Sequence, residues 1–204
     1  MPGKVNKYIT LSKYFFYCSF LIINFSLLIG CGIFDTREPE NPVTIRSTFV
    51  PPTSPELVLE NLSFSIQEKN SVNYNKCITD ELYIYVPDTK SLQNYREIFM
   101  NWSKNSERRY IDNLIAATNP TATSVLFLDN DNMLLINSDS AIYTAEYIVV
   151  FQHIKTNIPK SAKGNLTMYI SSDDNNLFSI KRWEDFRQND DDFTWSEFRA
   201  NFNY

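Results

Sequence analysis

The chain has 204 residues, 43% of them hydrophobic and 15% aromatic, which is enough for one sizeable core and excludes an intrinsically disordered protein. It carries 19 Lys and Arg against 24 Asp and Glu, a formal net charge of −5. A surface of that sign is repelled by phosphate backbones, so nucleic acid is excluded as the expected partner.

Lys4, Lys7 and Lys13 precede an apolar run, Tyr14 to Ile29, and no acidic residue lies among them. This is the basic, apolar and small-residue order of an export signal. The run ends in Leu28-Ile29-Gly30-Cys31, which resembles the lipobox of bacterial lipoproteins. The resemblance implies cleavage between Gly30 and Cys31, a diacylglyceryl group on the Cys31 sulfur and a further acyl chain on its amino group. A retained anchor and an ordinary cleaved signal are the alternatives. A spanning helix needs about 20 apolar residues, and Ser19, Asn24 and Ser26 interrupt this shorter run. Acyl chains contribute about 0.8 kcal/mol per buried methylene, so two or three on Cys31 would hold the chain at a membrane. The expected location is the bacterial cell envelope, with the outer membrane favoured. Loss of residues 1–30 removes three lysines and no acid, leaving 16 bases against 24 acids, a net charge near −8. The lipid, rather than a basic patch, must then make the membrane contact.

Of three cysteines, Cys18 leaves with the signal and Cys31 is acylated, so Cys77 has no disulfide partner and reads as a buried small hydrophobe. Residues 31–53 read as a Pro-rich tether, broken by Pro39, Pro42, Pro51 and Pro52. Asp35, Glu38 and Glu40 lie just beyond the lipid site and resemble an outer-leaflet sorting signal, or are simply solvated linker residues.

Residues 54–204 read as a single domain. Ser54-Pro55-Glu56 combines a hydroxyl N-cap, proline at the first helical position and a first-turn acid, predicting a helix to about Lys69. Val58, Leu59, Leu62 and Ile66 form its main stripe; Leu57 and Phe64 fall on the other side, so the helix is sandwiched between layers or else meets a partner. A short helix over 72–78 carries Tyr74 and Cys77. Leu82 to Val86 reads as a strand closed by Pro87. A helical pattern covers 92–117, with a restart at Ser103 or Ser106 and Glu107 in the first turn. Strands are expected over 122–128, 141–154, 165–172 and 177–186, with 133–136 either extending the first or forming part of a hairpin. Within 141–154 the residues Tyr143, Ala145, Tyr147, Val149 and Phe151 alternate onto one face. In the last strand Phe178, Ile180 and Trp183 are out of step unless a bulge lies near Lys181-Arg182. A C-terminal helix over 194–201 places Trp195, Phe198 and Phe202 on one side.

Helices first, one strand, a helix, then a run of antiparallel strands predicts an α+β fold, with helices packed on one face of a strongly curved sheet. This order, with Phe178-Ser-Ile180-Lys-Arg-Trp183-Glu-Asp185 as the last strand, resembles the nuclear-transport-factor-2-like, or SnoaL-like, cone. The stretches Cys31-Gly-Ile-Phe-Asp-Thr-Arg-Glu-Pro-Glu and Thr194-Trp195-Ser-Glu-Phe198 resemble a family of uncharacterised bacterial lipoproteins. The cone resemblance implies a pocket between sheet and helices, lined by Tyr143, Tyr147, His153, Trp183 and Asp185. Two readings follow. One is a non-catalytic envelope domain that binds a small apolar ligand or an envelope protein. The other is an isomerase, dehydratase or hydrolase in which Asp185 abstracts a proton beside a Tyr donor or His153. Against catalysis, and better supported by the sequence, Asp185 reads as a partner of a neighbouring cation such as Arg182 or Arg187, or as a cap of the last turn. His153, at a strand end, reads as a surface residue. One histidine cannot supply a zinc site with three protein nitrogens. Asp190-Asp191-Asp192 lacks the spaced ligands of a calcium loop and reads as a solvated turn. The chain has no phosphate loop, nucleophile elbow or His-Glu zinc motif, so no cofactor or metal is expected.

Overall fold

The computed structural model describes residues 48–80 and 82–204. The export signal, Gly30, Cys31 and the tether as far as residue 47 lie outside the described residues.

The elements in chain order are α1 (Pro55–Gln67), α2 (Ser71–Lys76), β1 (Ile84–Val86), α3 (Thr89–Asn94), α4 (Arg96–Phe99), α5 (Lys104–Ala116), β2 (Val125–Asn137), β3 (Ser140–Val150), β4 (Ser161–Ser172), β5 (Phe178–Phe186) and α6 (Trp195–Phe202). The strands form one five-stranded sheet in the order β1-β5-β4-β3-β2. Only β1 runs parallel to its neighbour; the other pairs are antiparallel. The fold is α+β, with the helices on one face of a mostly antiparallel sheet.

Chain chemistry accounts for the boundaries. Pro55 opens α1 at its first turn. Lys69 then adopts φ 52°, and Lys69 N and Asn70 N donate back to Ile66 O and Ser65 O, a Schellman ending without its usual glycine. Asn70 both follows α1 and starts α2, because its side chain accepts a hydrogen bond from Asn73 N. The helical pattern over 92–117 resolves into three helices, the first beginning earlier, at Thr89. The restart falls at Ser103, with Lys104 as first helical residue.

In the sheet, β2 continues through 133–136, so the two expected segments are one strand. It is bulged between Asp129 and Asn132, where Asn130 takes φ 47°. The β3 strand stops at Val150, four residues short of the predicted end; His153 instead makes an isolated bridge with Thr118. In β5 the register slips between Tyr169 and Ile170, leaving Lys181 as the extra residue. This bulge returns Phe178, Ile180, Trp183 and Asp185 to the buried face.

Residues 48–53, read from sequence as the end of the tether, lie against the domain. Asn61 accepts from Val50 N and donates to Val50 O, while Pro52 O accepts from Phe178 N. The core sits between the sheet's inner face and α1, α2, α5 and α6. Cys77 is in it, and burial pushes its thiol up to about 12.

Candidate functional site

Three positions of the expected pocket lie together and face inward: Tyr147 on β3, and Trp183 and Asp185 on β5. Each is at most 2% exposed. Gly164 on β4 pairs with Tyr147 across the ladder. A Cβ at Gly164 would stand 2.5 Å from Phe186 O and 2.9 Å from Tyr147 Oη, so only glycine leaves room for the Tyr147 phenol here.

The space facing these residues is filled by α6. Trp195, Phe198, Arg199 and Phe202 of that helix are all fully buried. Trp195 stacks edge-on against Trp183, with ring centroids 4.7 Å apart. Asp185 accepts hydrogen bonds from Tyr147 Oη at 2.7 Å, Ser196 N at 2.7 Å and Ser196 Oγ at 2.5 Å. Tyr147 Oη in turn accepts from Trp195 N at 2.7 Å. Ser196 Oγ also accepts from Asp88 N at 3.1 Å and lies 2.6 Å from Tyr85 Oη. Two of the first backbone N–H groups of α6, which no helix can satisfy internally, are therefore met by side chains of the sheet. Burial raises the Asp185 carboxyl above its ordinary range; the hydrogen bonds from Ser196 and Tyr147 and the positive Arg199 oppose that rise without cancelling it. Burial, then the Asp185 charge, raises the Tyr147 phenol as well.

Beside this group lies an ion pair that sequence reasoning missed. Arg199 and Glu107 both have 0% side-chain exposure and meet at 2.7 Å. Arg199 Nε also donates to both Glu107 oxygens. Tyr74 Oη and Trp102 Nε1 complete the carboxylate, at 2.7 Å and 2.8 Å. The guanidinium lies 4.1 Å from the Tyr85 ring centre and 4.4 Å from that of Trp183. Both charges were detectable in sequence as breaks in apolar stripes. Glu107 shares its helical phase with Tyr110, Ile111 and Leu114, and Arg199 shares its phase with Trp195 and Phe202.

The expected cation partners of Asp185 are engaged elsewhere. Arg182 binds Glu184, its neighbour but one on β5. Arg187 binds Asp88 at 3.2 Å and Glu197 at 3.0 Å. Glu197 also accepts from Thr194 N, closing the start of α6. Asp88 is lowered: burial raises it, but hydrogen bonds from Ser91 and Thr194, with Arg187, outweigh that. Nor is Asp192 solvated as expected; it is 7% exposed and bound to Lys163 at 2.9 Å.

His153 and Tyr143 do not join Asp185. His153 is 1% exposed rather than on the surface, packed against Phe198 and Phe202. Its backbone bridges Thr118, just past the end of α5. Its Nε2 lies 3.0 Å from Pro159 O, and its Nδ1 has no hydrogen-bond partner among the described residues. Tyr143 faces inward, where burial and then the Asp131 carboxylate raise its phenol.

Two clefts open elsewhere. One, of about 770 Å³, runs past Phe49, Val72, Ile78, Lys104 and Phe178; the other, of about 780 Å³, lies between Asn119 and the loop 152–160. Neither is lined by Asp185, Tyr147 or Trp183. Among the described residues no group of three His, Cys, Asp or Glu is placed to hold a metal ion. The Asp185–Tyr147 pair has the groups of a proton-transfer dyad. Its oxygens, however, fasten backbone, and at 1% exposure Asp185 offers no approach to a substrate.

No protein-family profile matches the chain, and no curated protein matches it. Solved structures are similar in fold. A nuclear-transport-factor-2-like superfamily protein from Salmonella enterica is 9% identical, with 63% of this chain and 84% of that one covered and a TM-score of 0.44. A hexachlorocyclohexane dehydrochlorinase from Novosphingobium barchaimii is 6% identical, with 68% and 86% covered and a TM-score of 0.48. A protein of unknown function from Mycobacterium tuberculosis is 12% identical, with 64% and 67% covered and a TM-score of 0.45.

Proposed function

We propose that the protein is a lipid-anchored envelope protein whose domain works by surface contact with a partner rather than by catalysis. The reading joins two observations. The run Tyr14 to Ile29, ending in Leu28-Ile29-Gly30-Cys31, resembles an export signal with a lipobox, and that resemblance supports an anchor at Cys31. The position where an enzyme of this architecture would need an open dyad is occupied: Asp185 and Tyr147 bind Ser196 and Trp195 of α6. That second observation carries the reading. It also favours a protein partner over a small ligand in the interior, because α6 fills the interior itself.

Two experiments test it. Replacing Cys31→Ser is expected to move the protein from the membrane to the soluble fraction of its own cells; unchanged fractionation would refute the anchor. Native mass spectrometry of the delipidated protein is expected to give the polypeptide mass with no small molecule retained. A stoichiometric small ligand that protects Trp183 or Trp195 fluorescence from quenching would return the interior to consideration as a binding site.

A further inference from the structure

The cleft beside the loop 152–160 differs from the rest of the surface in charge. Its walls come from two stretches, 113–128 and 147–172, that contain no Asp or Glu, in a chain that has 24. The second stretch holds the one histidine and three lysines. Backbone bonds fix the mouth. Asn119 N donates to Gln152 O at 3.1 Å, Ile154 N to Ala117 O at 2.9 Å and Phe151 N to Lys160 O at 2.9 Å. Three ammonium groups gather there. Lys155 is held against the rings of Phe202 and Tyr204, 4.5 Å and 4.0 Å from their centres. Lys69 Nζ donates to Ala122 O, on the wall, at 2.6 Å. Lys160 is exposed and has no side-chain partner among the described residues. Neutral polar groups are unmatched as well. The half-buried Gln152 amide has no side-chain hydrogen bond among the described residues. His153 Nε2 lies 3.0 Å from Pro159 O, a carbonyl, so it carries the proton and leaves Nδ1 an unpaired acceptor. Ile154, 77% exposed, adds an apolar side chain to the same lining.

Resting on the reading of a partner contact, we propose that this cleft is where the contact is made, and that it receives an acidic segment of another protein in which carboxylates flank an apolar residue. Complementary charge sets the sign. The other cleft mixes Asp80, Asp112 and Asp173 with its cations and has no such preference, whereas this one presents only cations to an incoming group. Unmatched amide chemistry selects a polypeptide over a simple anion. The Gln152 carbonyl and His153 Nδ1 accept N–H groups, and Gln152 Nε2 donates to a carbonyl. A peptide backbone carries both, while phosphate or a free carboxylate offers acceptors alone. The apolar residue of the segment covers Ile154. An anionic membrane is the poorer occupant, because a chain of net charge −5 is repelled by it. Lys155 and Lys69 are already held in place, so binding costs them little side-chain freedom; Lys160 supplies the movable charge.

The test uses the full chain in detergent and a fluorescein-labelled peptide of alternating glutamate and leucine, with a glutamine-for-glutamate peptide as control. Fluorescence anisotropy is expected to show the acidic peptide binding several-fold tighter, with affinity falling as salt rises. Lys160→Glu is expected to weaken it about fivefold, the worth of one exposed ion pair. Lys90→Glu changes the net charge equally at an exposed position outside the cleft and is expected to leave binding unchanged. Gln152→Leu alters no charge and is expected to weaken both peptides alike. Equal binding of the two peptides, equal losses from the two lysine variants, or full competition by free glutamate or by phosphatidylglycerol vesicles would each overturn the site. A photo-reactive residue placed at Thr156 in the cleft, or at Phe127 on the outer face of the sheet, separates that failure from failure of the contact reading in the protein's own cells. Cross-links from position 156 into an acidic segment support the site. Cross-links from 156 only into a segment without carboxylates, or from 127 alone, overturn the site and leave the contact reading standing. Cross-links from neither position overturn both.

Discussion

Arg199 is the side chain on which the interior is most sensitive. It has 0% exposure, and Glu107 is its counter-charge. Removing one member of a buried pair costs about 3–5 kcal/mol, because the other is left uncompensated, whereas replacing both by apolar groups is often near neutral. Arg199→Met is therefore expected to lower the denaturation free energy by about that amount, and Arg199→Met with Glu107→Leu to recover most of it. Urea unfolding of the four members of the cycle measures the coupling. Gly164 is sensitive for a steric reason. The Cβ of Gly164→Ala would meet backbone at 2.5 Å, and overpacking of this kind costs about 1–3 kcal/mol. The same unfolding assay should show it. Asp185 acts through pH. Its folded pKa is raised above an unfolded value of about 3.9. Its contribution is thus fully present below that value and is lost as pH rises through the folded pKa. Asp88 has the opposite sign: its folded pKa is lowered, so its contribution is present above the unfolded value and is lost as pH falls. Asp185→Asn is expected to remove the loss of stability that accompanies rising pH while leaving the acid-side loss in place. Unfolding midpoints from pH 3 to 8 distinguish the two.

Among the elements, α6 depends most on the others. Its N-terminus rests on side chains from β3 and β5, so losing one oxygen should loosen the helix before the sheet. Tyr147→Phe strands the Trp195 N–H, a penalty of about 1–3 kcal/mol for an unmet buried donor. Amide exchange at 195–198 is expected to accelerate, while exchange in β3 and β4 changes less. This dependence explains what could be read in advance. Periodicity was legible wherever one face is apolar and the other wet: α1, α5, the alternation Tyr143 to Phe151, and the bulge beside Lys181 that returns Trp183 to its face. Pattern reading failed where contacts distant in sequence set the outcome. The break between α3 and α5 follows from Tyr95, Phe99 and Trp102 turning onto the core, with Phe99 and Trp102 against Tyr85 of β1. The burial of His153 follows from Phe198 and Phe202 lying over it. Asp185 was read as facing inward, but its partners are on a helix that follows it, and no local spacing relates Asp185 to Ser196, or Glu107 to Arg199. The expected pocket was lost for the same reason: Trp195 and Phe198 were seen as one side of a helix, with nothing to say that this side enters the concavity.

Across the whole molecule, α6 joins parts of the chain that are otherwise distant. Through Arg199 it reaches Glu107 on α5 and Tyr74 on α2, through Ser196 it reaches β5 and Asp88, and through Asn113 on α5 the chain end is held at Phe202 O. Its buried side chains decide how much stability depends on that closure. Losing a core Phe or Trp costs about 3–5 kcal/mol, and α6 supplies Trp195, Phe198 and Phe202, besides the partner of a buried carboxylate. Those losses together equal or exceed the roughly 5–15 kcal/mol by which a domain of this size is stable. A chain stopped after Phe193 is therefore expected to lose its fixed tertiary structure as a whole, not merely its last helix. Tryptophan fluorescence should report Trp183 becoming exposed, and near-ultraviolet circular dichroism should collapse. In the intact protein, fluorescence of the Trp183–Trp195 stack and far-ultraviolet dichroism of all the helices should unfold at one midpoint, as expected of a single cooperative unit. If the shortened chain instead kept a native near-ultraviolet spectrum, with α6 alone missing, that helix would be a removable plug over a formed cavity, and the open Asp185–Tyr147 pair would become available to a substrate.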